Sequence, residues 1–119
     1  MTSPQHHRID YIELPADDLE ASKRFYAEAF GWGFNDYGPN YAGIRGPGDR
    51  EVGGLNPQGS GHRGGGPLVL LFSDDLDATA VAVERAGGRI LAGPYAFPGG
   101  RRFHFADPAG NELGVWAES

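Results

Sequence analysis

Apolar and polar residues follow two alternating patterns along this chain, and the same order of patterns occurs twice. A strand-like run, RIDYIEL at residues 8–14, precedes the acidic segment DDLEAS at 17–22. A second strand-like run, PLVLLF at 67–72, precedes the similar segment DDLDAT at 74–79, 57 positions further on. Apolar residues then recur at helical spacing in both copies. The sequence therefore predicts a strand–helix unit that is repeated once.

Start and stop signals occur at matching positions of the two predicted helices. An aspartate followed three residues later by an acid is typical of an N-cap with an acidic N3 residue. The matching pairs are Asp17 with Glu20 and Asp74 with Asp77. The apolar helical positions are Leu19, Phe25, Tyr26 and Phe30 in the first copy and Leu76, Ala80 and Val83 in the second. A glycine is expected to end each helix, Gly31 in the first copy and Gly88 in the second.

Three short strand-like runs follow each predicted helix, separated by Gly, Pro and Asn. They are GFNDY, YAGIR and EVGGL after the first helix, and GRILAG, RRFHFA and ELGVWA after the second. Each half is thus predicted to fold as β-α-β-β-β, which gives an α+β protein. We expect one domain over residues 1–119, with modules at about 8–55 and about 68–118 and a glycine-rich linker at 56–67.

Composition narrows the possible functions. The chain is 39% hydrophobic and 12% aromatic, as in a globular protein, and its net charge of −6 disfavours a nucleic-acid or anionic-membrane partner. The absence of cysteine excludes disulfides, thiolate nucleophiles and zinc–thiolate sites. No run approaches the roughly 18 apolar residues of a membrane span, and the N-terminus lacks the apolar region of a signal peptide. We expect a cytoplasmic protein.

Two β-α-β-β-β units in a chain of this size resemble the vicinal oxygen chelate superfamily, which includes glyoxalases, bleomycin resistance proteins and extradiol dioxygenases. The resemblance is carried by ELPADDLEASKRFYAEAFGW at 13–32 and FADPAGNELGVWAE at 105–118. The latter is similar to the DPxGN hairpin and last strand of that family. The resemblance implies two tandem modules whose curved mixed sheet forms a cup, with the helices outside. In catalytic members it also implies a divalent metal held by His, Glu or Gln.

The positions that the resemblance implies for metal ligands hold other kinds of residue in this chain. They lie on the first and last strands of each module and are Tyr11, residues 53–55, Leu68 and Gly114. Leucine and glycine have no side-chain donor, and a neutral tyrosine is a poor ligand compared with imidazole or carboxylate. We therefore expect that the ancestral metal site is lost and that the protein uses no cofactor.

Strand alternation predicts which side chains line the cup. The candidate ligand-binding residues are Tyr11, Glu13, Tyr41, Leu68, Leu70, Phe72, Arg102, His104, Glu112 and Trp116, with Arg45 as a further possibility. The residues expected to pack against the helices instead are Ile12, Leu14, Val69 and Leu71. An apolar concave surface with few polar groups is the usual composition of a small-molecule site. In such a site Trp116 and Tyr11 would stack on a flat ligand, and Arg102 would hold a carboxylate or phosphate.

Several of these residues also have a purely structural interpretation. Leu68, Leu70 and Phe72 are core residues if the cup is shallow. Trp116 can cap the sheet or lie in a dimer interface. His104 can be a strand histidine with an ordinary hydrogen bond.

Glu13 and His104 are the candidate catalytic residues. Burial of Glu13 in an apolar cup would favour its neutral form and suit it to proton transfer. The alternative for Glu13 is a salt bridge at the rim of the cup.

Three functions from different classes remain open. The first is a metal-free binding protein of the bleomycin resistance type, which sequesters an aromatic or heterocyclic compound. The second is a metal-dependent lyase, isomerase or dioxygenase, which needs an off-pattern ligand set such as Glu13, His104 and Glu112. The third is a metal-independent enzyme that uses Glu13 or His104 as acid or base. A homodimer is expected, since the resemblance implies cups completed within one chain or across two.

Overall fold

The computed structural model describes residues 3–119 of the chain, which form eight β-strands, two α-helices and a short 3-10 turn. The elements in chain order are β1 (Ile9–Pro15), α1 (Leu19–Phe30), β2 (Phe34–Asp36), β3 (Ala42–Arg45), the 3-10 turn (Pro47–Asp49), β4 (Glu51–Asn56), β5 (Leu68–Phe72), α2 (Leu76–Arg85), β6 (Arg89–Phe97), β7 (Gly100–Ala106) and β8 (Glu112–Ala117). This is the predicted β-α-β-β-β order in both halves, so the α+β class is confirmed. Neither helix in residues 3–119 is long and apolar enough to cross a membrane.

The chain divides into two compact units. The first unit is Tyr11–Leu68, and the second combines residues 3–10 with Val69–Ser119. The strand order in the first unit is β2-β3-β4-β1, with β1 and β4 parallel and the other neighbours antiparallel. The second unit has the equivalent order, β6-β7-β8-β5, with β5 and β8 parallel. The repeat in the sequence is therefore also a repeat of strand topology.

The helix of each unit packs on one face of that unit's sheet. The first apolar cluster includes Leu14, Leu19, Tyr26, Ile44 and Leu55, and the second includes Leu71, Leu76, Val83, Phe103 and Val115. Full burial of one such side chain is worth about 1.5–3 kcal/mol, so these clusters hold the helices in place. Leu14 and Leu71 lie on the helix side as predicted, whereas Ile12 is 43% exposed.

The N-caps are the second aspartate of each pair, and the prediction of Asp17 and Asp74 was wrong by one residue. Asp18 has extended backbone angles and accepts a hydrogen bond from the Ala21 N–H at 3.0 Å. Asp75 likewise accepts from the Ala78 N–H at 3.1 Å. An N-cap must reach the N–H three residues on, and only the second aspartate has that spacing to the first helical turn.

The end of α1 matches the prediction, but the end of α2 does not. Gly31 caps α1 with a left-handed φ of 74°. In α2 the left-handed residue is Gly87, with φ of 101°, and Gly88 follows it and donates its N–H to the Val83 carbonyl. The glycine in the left-handed conformation must come directly after the C-cap of the helix, which is Ala86 here.

Two of the apolar positions at helical spacing in α1 lie on its surface. Phe25 and Phe30 are 57% and 63% exposed. They pack with Tyr26 and Trp32 in an aromatic cluster at the end of the helix. The apolar stripe of α1 is therefore wider than the surface that the sheet covers.

The sixth strand is longer than predicted. The pattern indicated a strand over 88–93, whereas β6 continues to Phe97 with two irregularities in its pairing with β7. Pro94 suggested an end to the strand, but proline is tolerated because β6 is an edge strand. This extension adds Tyr95 to the sheet.

Candidate functional site

The face of the second unit's sheet opposite α2 carries six of the predicted ligand-binding residues. The cross-strand rows on this face are Leu70–Gly114–His104 and Phe72–Trp116–Arg102. Phe103 and Val115 alternate with these residues and pack in the α2 cluster, so the two rows face the other way. Glu112 has the same strand phase as Gly114. The phase predicted for Arg102 and His104 is therefore correct.

A chain of hydrogen bonds crosses this face. His104 Nδ1 lies 3.1 Å from Oε2 of Glu112, and His104 Nε2 lies 2.8 Å from the Tyr95 hydroxyl. Arg102 Nε donates to the same hydroxyl over 2.6 Å. The His104 and Glu112 side chains are only 3% and 7% exposed, so water hardly screens their contact. Tyr95 was missed because the segment GPYAF indicates a turn in the sequence.

Aromatic rings lie around Arg102, at one end of this series of hydrogen bonds. The guanidinium carbon of Arg102 is 5.6 Å from the ring centre of Tyr95 and 5.9 Å from that of Phe97. Both distances are typical of cation–π contacts. Trp116 packs edge-on against Phe97, and its indole N–H donates to Asp10 over 3.0 Å. The face thus combines a guanidinium with flat apolar surface.

A second polar cluster lies on the first unit's sheet, opposite α1. The Tyr41 hydroxyl donates to Oε2 of Glu13 over 3.0 Å, and the Tyr11 and Tyr41 hydroxyls are 2.8 Å apart. Glu13 is buried, with 4% exposure. The structure thus brings together Tyr11, Glu13 and Tyr41, three of the predicted site residues.

The two half-buried phenols of this cluster, Tyr11 and Tyr41, are held in the neutral form. Burial is the main cause that raises the pKa of Tyr11, and the Glu51 and Glu13 carboxylates raise it further. Burial also raises the pKa of Tyr41, followed by the charge of Glu13. Both hydroxyls therefore remain hydrogen-bond donors through the physiological pH range.

Glu51 completes the first-unit cluster and was missed in the sequence. Its Oε1 accepts from Asn35 Nδ2 over 3.1 Å and from the Tyr37 hydroxyl over 2.7 Å. Its Oε2 accepts from the Tyr11 hydroxyl over 3.3 Å. One carboxylate thus joins side chains from β1, β2 and the loop that follows β2.

A β-bulge explains why strand alternation does not identify Glu51. The β3–β4 register pairs Ile44 with Gly53 and Arg45 with Glu51, which leaves Val52 as an extra residue. Val52 packs in the core cluster of the first unit. The extra residue shifts the phase by one and turns Glu51 to the face of Glu13.

The residues at the family's metal positions do not fit a divalent ion. Leu68 is fully buried. A Cβ atom at Gly114 would lie 2.5 Å from Cδ2 of Leu70, so Leu70 fills the space that a ligand side chain would need there. The Tyr11 hydroxyl is hydrogen-bonded as described above. In the described range 3–119, no three His, Asp or Glu side chains are grouped so as to hold a metal ion.

The remaining candidates are buried or peripheral. Leu68, Leu70 and Phe72 have 0%, 2% and 9% exposure, as their structural interpretation predicts. Arg45 is exposed, and its guanidinium lies beside Gly33.

Comparison with known proteins identifies the superfamily and several relatives of this chain. The model of the Glyoxalase/Bleomycin resistance protein/Dioxygenase superfamily matches residues 8–115. The Mycobacterium bovis protein CFP32 is 28% identical over 115 residues, which cover 90% of this chain and 44% of that protein. The anthracycline biosynthesis protein DnrV of Streptomyces peucetius is 30% identical over 124 residues, covering 89% of this chain and 45% of that protein. The chain thus spans less than half the length of these relatives.

A solved structure extends the comparison to the fold. The Mn(II)-bound glyoxalase from Novosphingobium aromaticivorans matches 99% of this chain and 40% of its own, with a TM-score of 0.66 and 26% identity. This agrees with the β-α-β-β-β order of both halves and with the span of the family match. The chain belongs to the glyoxalase/bleomycin resistance protein/dioxygenase superfamily.

Proposed function

We propose that this chain is a metal-independent small-molecule-binding protein of the bleomycin resistance type. The observation that carries the proposal is the residue content of the family's metal positions. Leu68 and Gly114 have no donor atoms in their side chains, and Leu70 lies over Gly114. Binding in this chain would then depend on shape, aromatic contact and hydrogen bonds.

The proposed ligand is an aromatic or heterocyclic compound. Trp116 and Phe97 offer flat apolar surface, and Arg102 lies beside Phe97 to hold an acidic group. The ligand-binding residues proposed are Tyr11, Glu13, Tyr41, Leu68, Leu70, Phe72, Arg102, His104, Glu112 and Trp116. The name of the DnrV relative refers to anthracycline biosynthesis, which supports including a polycyclic aromatic compound among the ligands tested.

Tryptophan fluorescence tests this proposal directly, since the chain has two tryptophans. Trp116 lies on the candidate face, and Trp32 packs on Tyr26 at the end of α1. The protein is titrated with bleomycin, an anthracycline and simple aromatic acids. Saturable quenching is expected in the wild type and in Trp32→Phe, and it should disappear in Trp116→Phe.

Two results would count against the proposal. If no compound of the panel binds by fluorescence or by equilibrium dialysis, the binding function is wrong. If quenching persists in Trp116→Phe and disappears in Trp32→Phe, the ligand binds elsewhere on the chain.

A metal-independent enzyme is the second candidate, and the buried contact between His104 and Glu112 favours it. A carboxylate on an imidazole is a common arrangement in acid–base catalysis. Glu13, buried and hydrogen-bonded to Tyr41, is the other candidate acid or base. Turnover of a bound compound that is lost in His104→Gln or in Glu13→Gln, with binding retained, would establish this function. Unchanged binding and turnover in Glu13→Gln would remove Glu13 from consideration.

The proposal includes a homodimer in the cytoplasm. The glycine-rich stretch 56–67 between β4 and β5 would allow two copies to exchange modules. Sedimentation velocity should give twice the mass of 12.7 kDa, and a single species at the chain mass would contradict a dimer.

A further inference from the structure

The hydrogen-bond chain on the second unit's sheet has a defined direction. A guanidinium can only donate, so the Tyr95 hydroxyl accepts from Arg102 Nε. The single hydroxyl hydrogen of Tyr95 is then directed at His104 Nε2. We assign His104 as the neutral tautomer that donates its one ring hydrogen from Nδ1 to Glu112, which leaves Nε2 to accept the Tyr95 hydrogen. This arrangement of hydrogens satisfies all three hydrogen bonds, from Arg102 to Tyr95, from Tyr95 to His104 and from His104 to Glu112.

This direction prepares Tyr95 to give its proton to His104. If the proton moves to Nε2, the imidazolium that forms is paired with the Glu112 carboxylate at 3.1 Å. The oxygen of Tyr95 at the same time keeps its hydrogen bond from Arg102. A carboxylate behind an imidazole stabilises its protonated form in the same way in other proton-transfer sites.

Arg102 and Tyr95 form the accessible end of this series of hydrogen bonds. Tyr95 is 39% exposed, whereas His104 is 2% exposed. A ligand can therefore contact the Tyr95 hydroxyl, while His104 and Glu112 act through it as positioning residues.

The groups around the Tyr95 hydroxyl favour a flat anion. On β7 the charged neighbour is Arg102, whose guanidinium also lies by the Phe97 ring of β6. On β8 the charged neighbour is Glu112, which is separated from the Tyr95 hydroxyl by His104. Trp116 of β8 is the cross-strand partner of Arg102. Asp10 of β1 accepts the Trp116 indole hydrogen, and β5 adds apolar residues to this face. The Arg102 guanidinium is thus next to the accessible Tyr95 hydroxyl, and the Glu112 carboxylate lies on the far side of the His104 imidazole.

We propose that Tyr95 takes up a proton from a phenolic or enolic ligand, which then binds as the anion beside Arg102. The inference rests on the proposed small-molecule binding and names the chemical class of ligand. The O–H bond of the ligand breaks and its proton joins the Tyr95 oxygen, as the original Tyr95 proton forms a bond with His104 Nε2. The products are the ligand oxyanion, neutral Tyr95 and an imidazolium paired with Glu112. No electrons are transferred and no co-reactant is needed.

The probe for this step is para-nitrophenol, whose anion absorbs visible light and whose neutral form does not. It is titrated with the protein at a pH where the free probe is mostly neutral. The bound probe should be enriched in the anion in the wild type. The ratio of anion to neutral probe should fall by about tenfold or more in Tyr95→Phe, which corresponds to one pKa unit of the bound probe.

Two further variants and a second probe separate this step from simple packing. Glu112→Gln leaves Tyr95 in place but removes the charge that stabilises the imidazolium, so it should lower the same ratio. Tyr26→Phe, a tyrosine of α1 away from this face, should leave it unchanged. Para-nitroanisole has no acidic proton, so its dissociation constant reports packing alone. It should be similar for the wild type and Tyr95→Phe.

The outcomes distinguish failure of the inference from failure of the proposed function. If aromatic compounds bind but no phenol does, or if bound para-nitrophenol stays neutral in the wild type, the inference is overturned and the binding function remains. If the anion is enriched equally in the wild type, Tyr95→Phe and Glu112→Gln, the proton goes elsewhere and the inference is again overturned. If no aromatic compound binds at all, the proposed function fails and the inference with it.

Discussion

Two glycines leave room for the Glu51 and Tyr41 side chains on the sheet of the first unit. Gly43 and Gly54 are cross-strand partners on β3 and β4, and Glu13 pairs with Gly54 on the other side. A Cβ atom at Gly43 would collide with the Glu51 carboxylate, and one at Gly54 would collide with the Tyr41 hydroxyl. The absence of side chains at these positions is what lets two large polar side chains lie flat across the strands.

Gly54→Ala should therefore destabilise the protein. The added methyl group must displace Tyr41 and break its hydrogen bond to Glu13. Overpacking of this kind typically costs about 1–3 kcal/mol in the free energy of unfolding. The urea midpoint measures it, and Gly64→Ala is the control because its Cβ would only touch His62 at 3.4 Å. Equal midpoints for the two variants would show that Tyr41 has room to move.

The stability of the protein should fall as the pH rises above about 10, the pKa of an unperturbed tyrosine. The pKa values of Tyr11 and Tyr41 are raised in the folded state, chiefly by burial. Above that pH the unfolded phenols lose protons that the folded ones keep. Each then lowers the free energy of unfolding by up to about 1.4 kcal/mol per pH unit.

Urea unfolding at a series of alkaline pH values measures this dependence. The double variant Tyr11→Phe/Tyr41→Phe should have a shallower slope than the wild type, and Tyr26→Phe is the matched single-site control. A slope that does not differ between the wild type and the double variant would contradict the assignment of raised pKa values to these two half-buried phenols.

At the scale of elements, the start of each helix depends on one aspartate of an Asp-Asp pair. Asp18→Ala should cost about 0.5–2 kcal/mol, because it removes the acceptor of the Ala21 N–H. Asp17→Ala changes the same charge one residue earlier, outside the cap, and should have a much smaller effect. The difference between the two urea midpoints isolates the cap from the helix-dipole contribution of the charge. If Asp17→Ala were the more damaging change, the cap would lie at the first aspartate after all.

The bulge in β4 is a second feature of one residue that decides a contact, as the position of the N-cap does in each helix. One extra residue, Val52, turns Glu51 to the face that carries Tyr11 and Glu13. Element boundaries and irregularities of a single residue thus decide which side chains meet. These are the features for which sequence patterns give the least information.

At the scale of the whole molecule, the superfamily's metal site is the feature with the clearest test. The protein is loaded with Zn²⁺, Ni²⁺, Mn²⁺ or Fe²⁺, desalted and analysed for metal by elemental analysis. We expect metal well below one ion per chain, because Tyr11, Leu68 and Gly114 stand at the ligand positions. One tightly held ion per chain would contradict the proposed function and favour the oxygen-chelate enzymes of the superfamily.

Much of the fold was predictable because secondary structure follows from the local spacing of apolar and polar residues. Hydrophobic alternation and helical spacing indicated all eight strands and both helices within the described residues, and the repeated DDL segment indicated their doubling. Errors occurred where local preference left a choice, as between Asp17 and Asp18 or between Gly87 and Gly88. Periodicity identified the apolar stripe of α1 but not the area that the sheet covers, so it could not show that Phe25 and Phe30 are exposed.

The candidate site was predictable only in part, because its chemistry depends on contacts between distant residues. Strand phase alone placed Tyr11, Glu13, His104 and Glu112 on the faces opposite the helices. It did not identify Tyr95, whose strand continues past a proline.

By itself, the sequence determined the fold class, the superfamily and the lack of imidazole or carboxylate side chains at Tyr11, Leu68 and Gly114, since each follows from residue type and spacing along the chain. Only the tertiary structure decided that His104 lies between Glu112 and Tyr95, and that Glu13 accepts from Tyr41. The physical reason is that hydrogen bonds act over about 3 Å, and strand pairing brings together residues that are far apart in the chain.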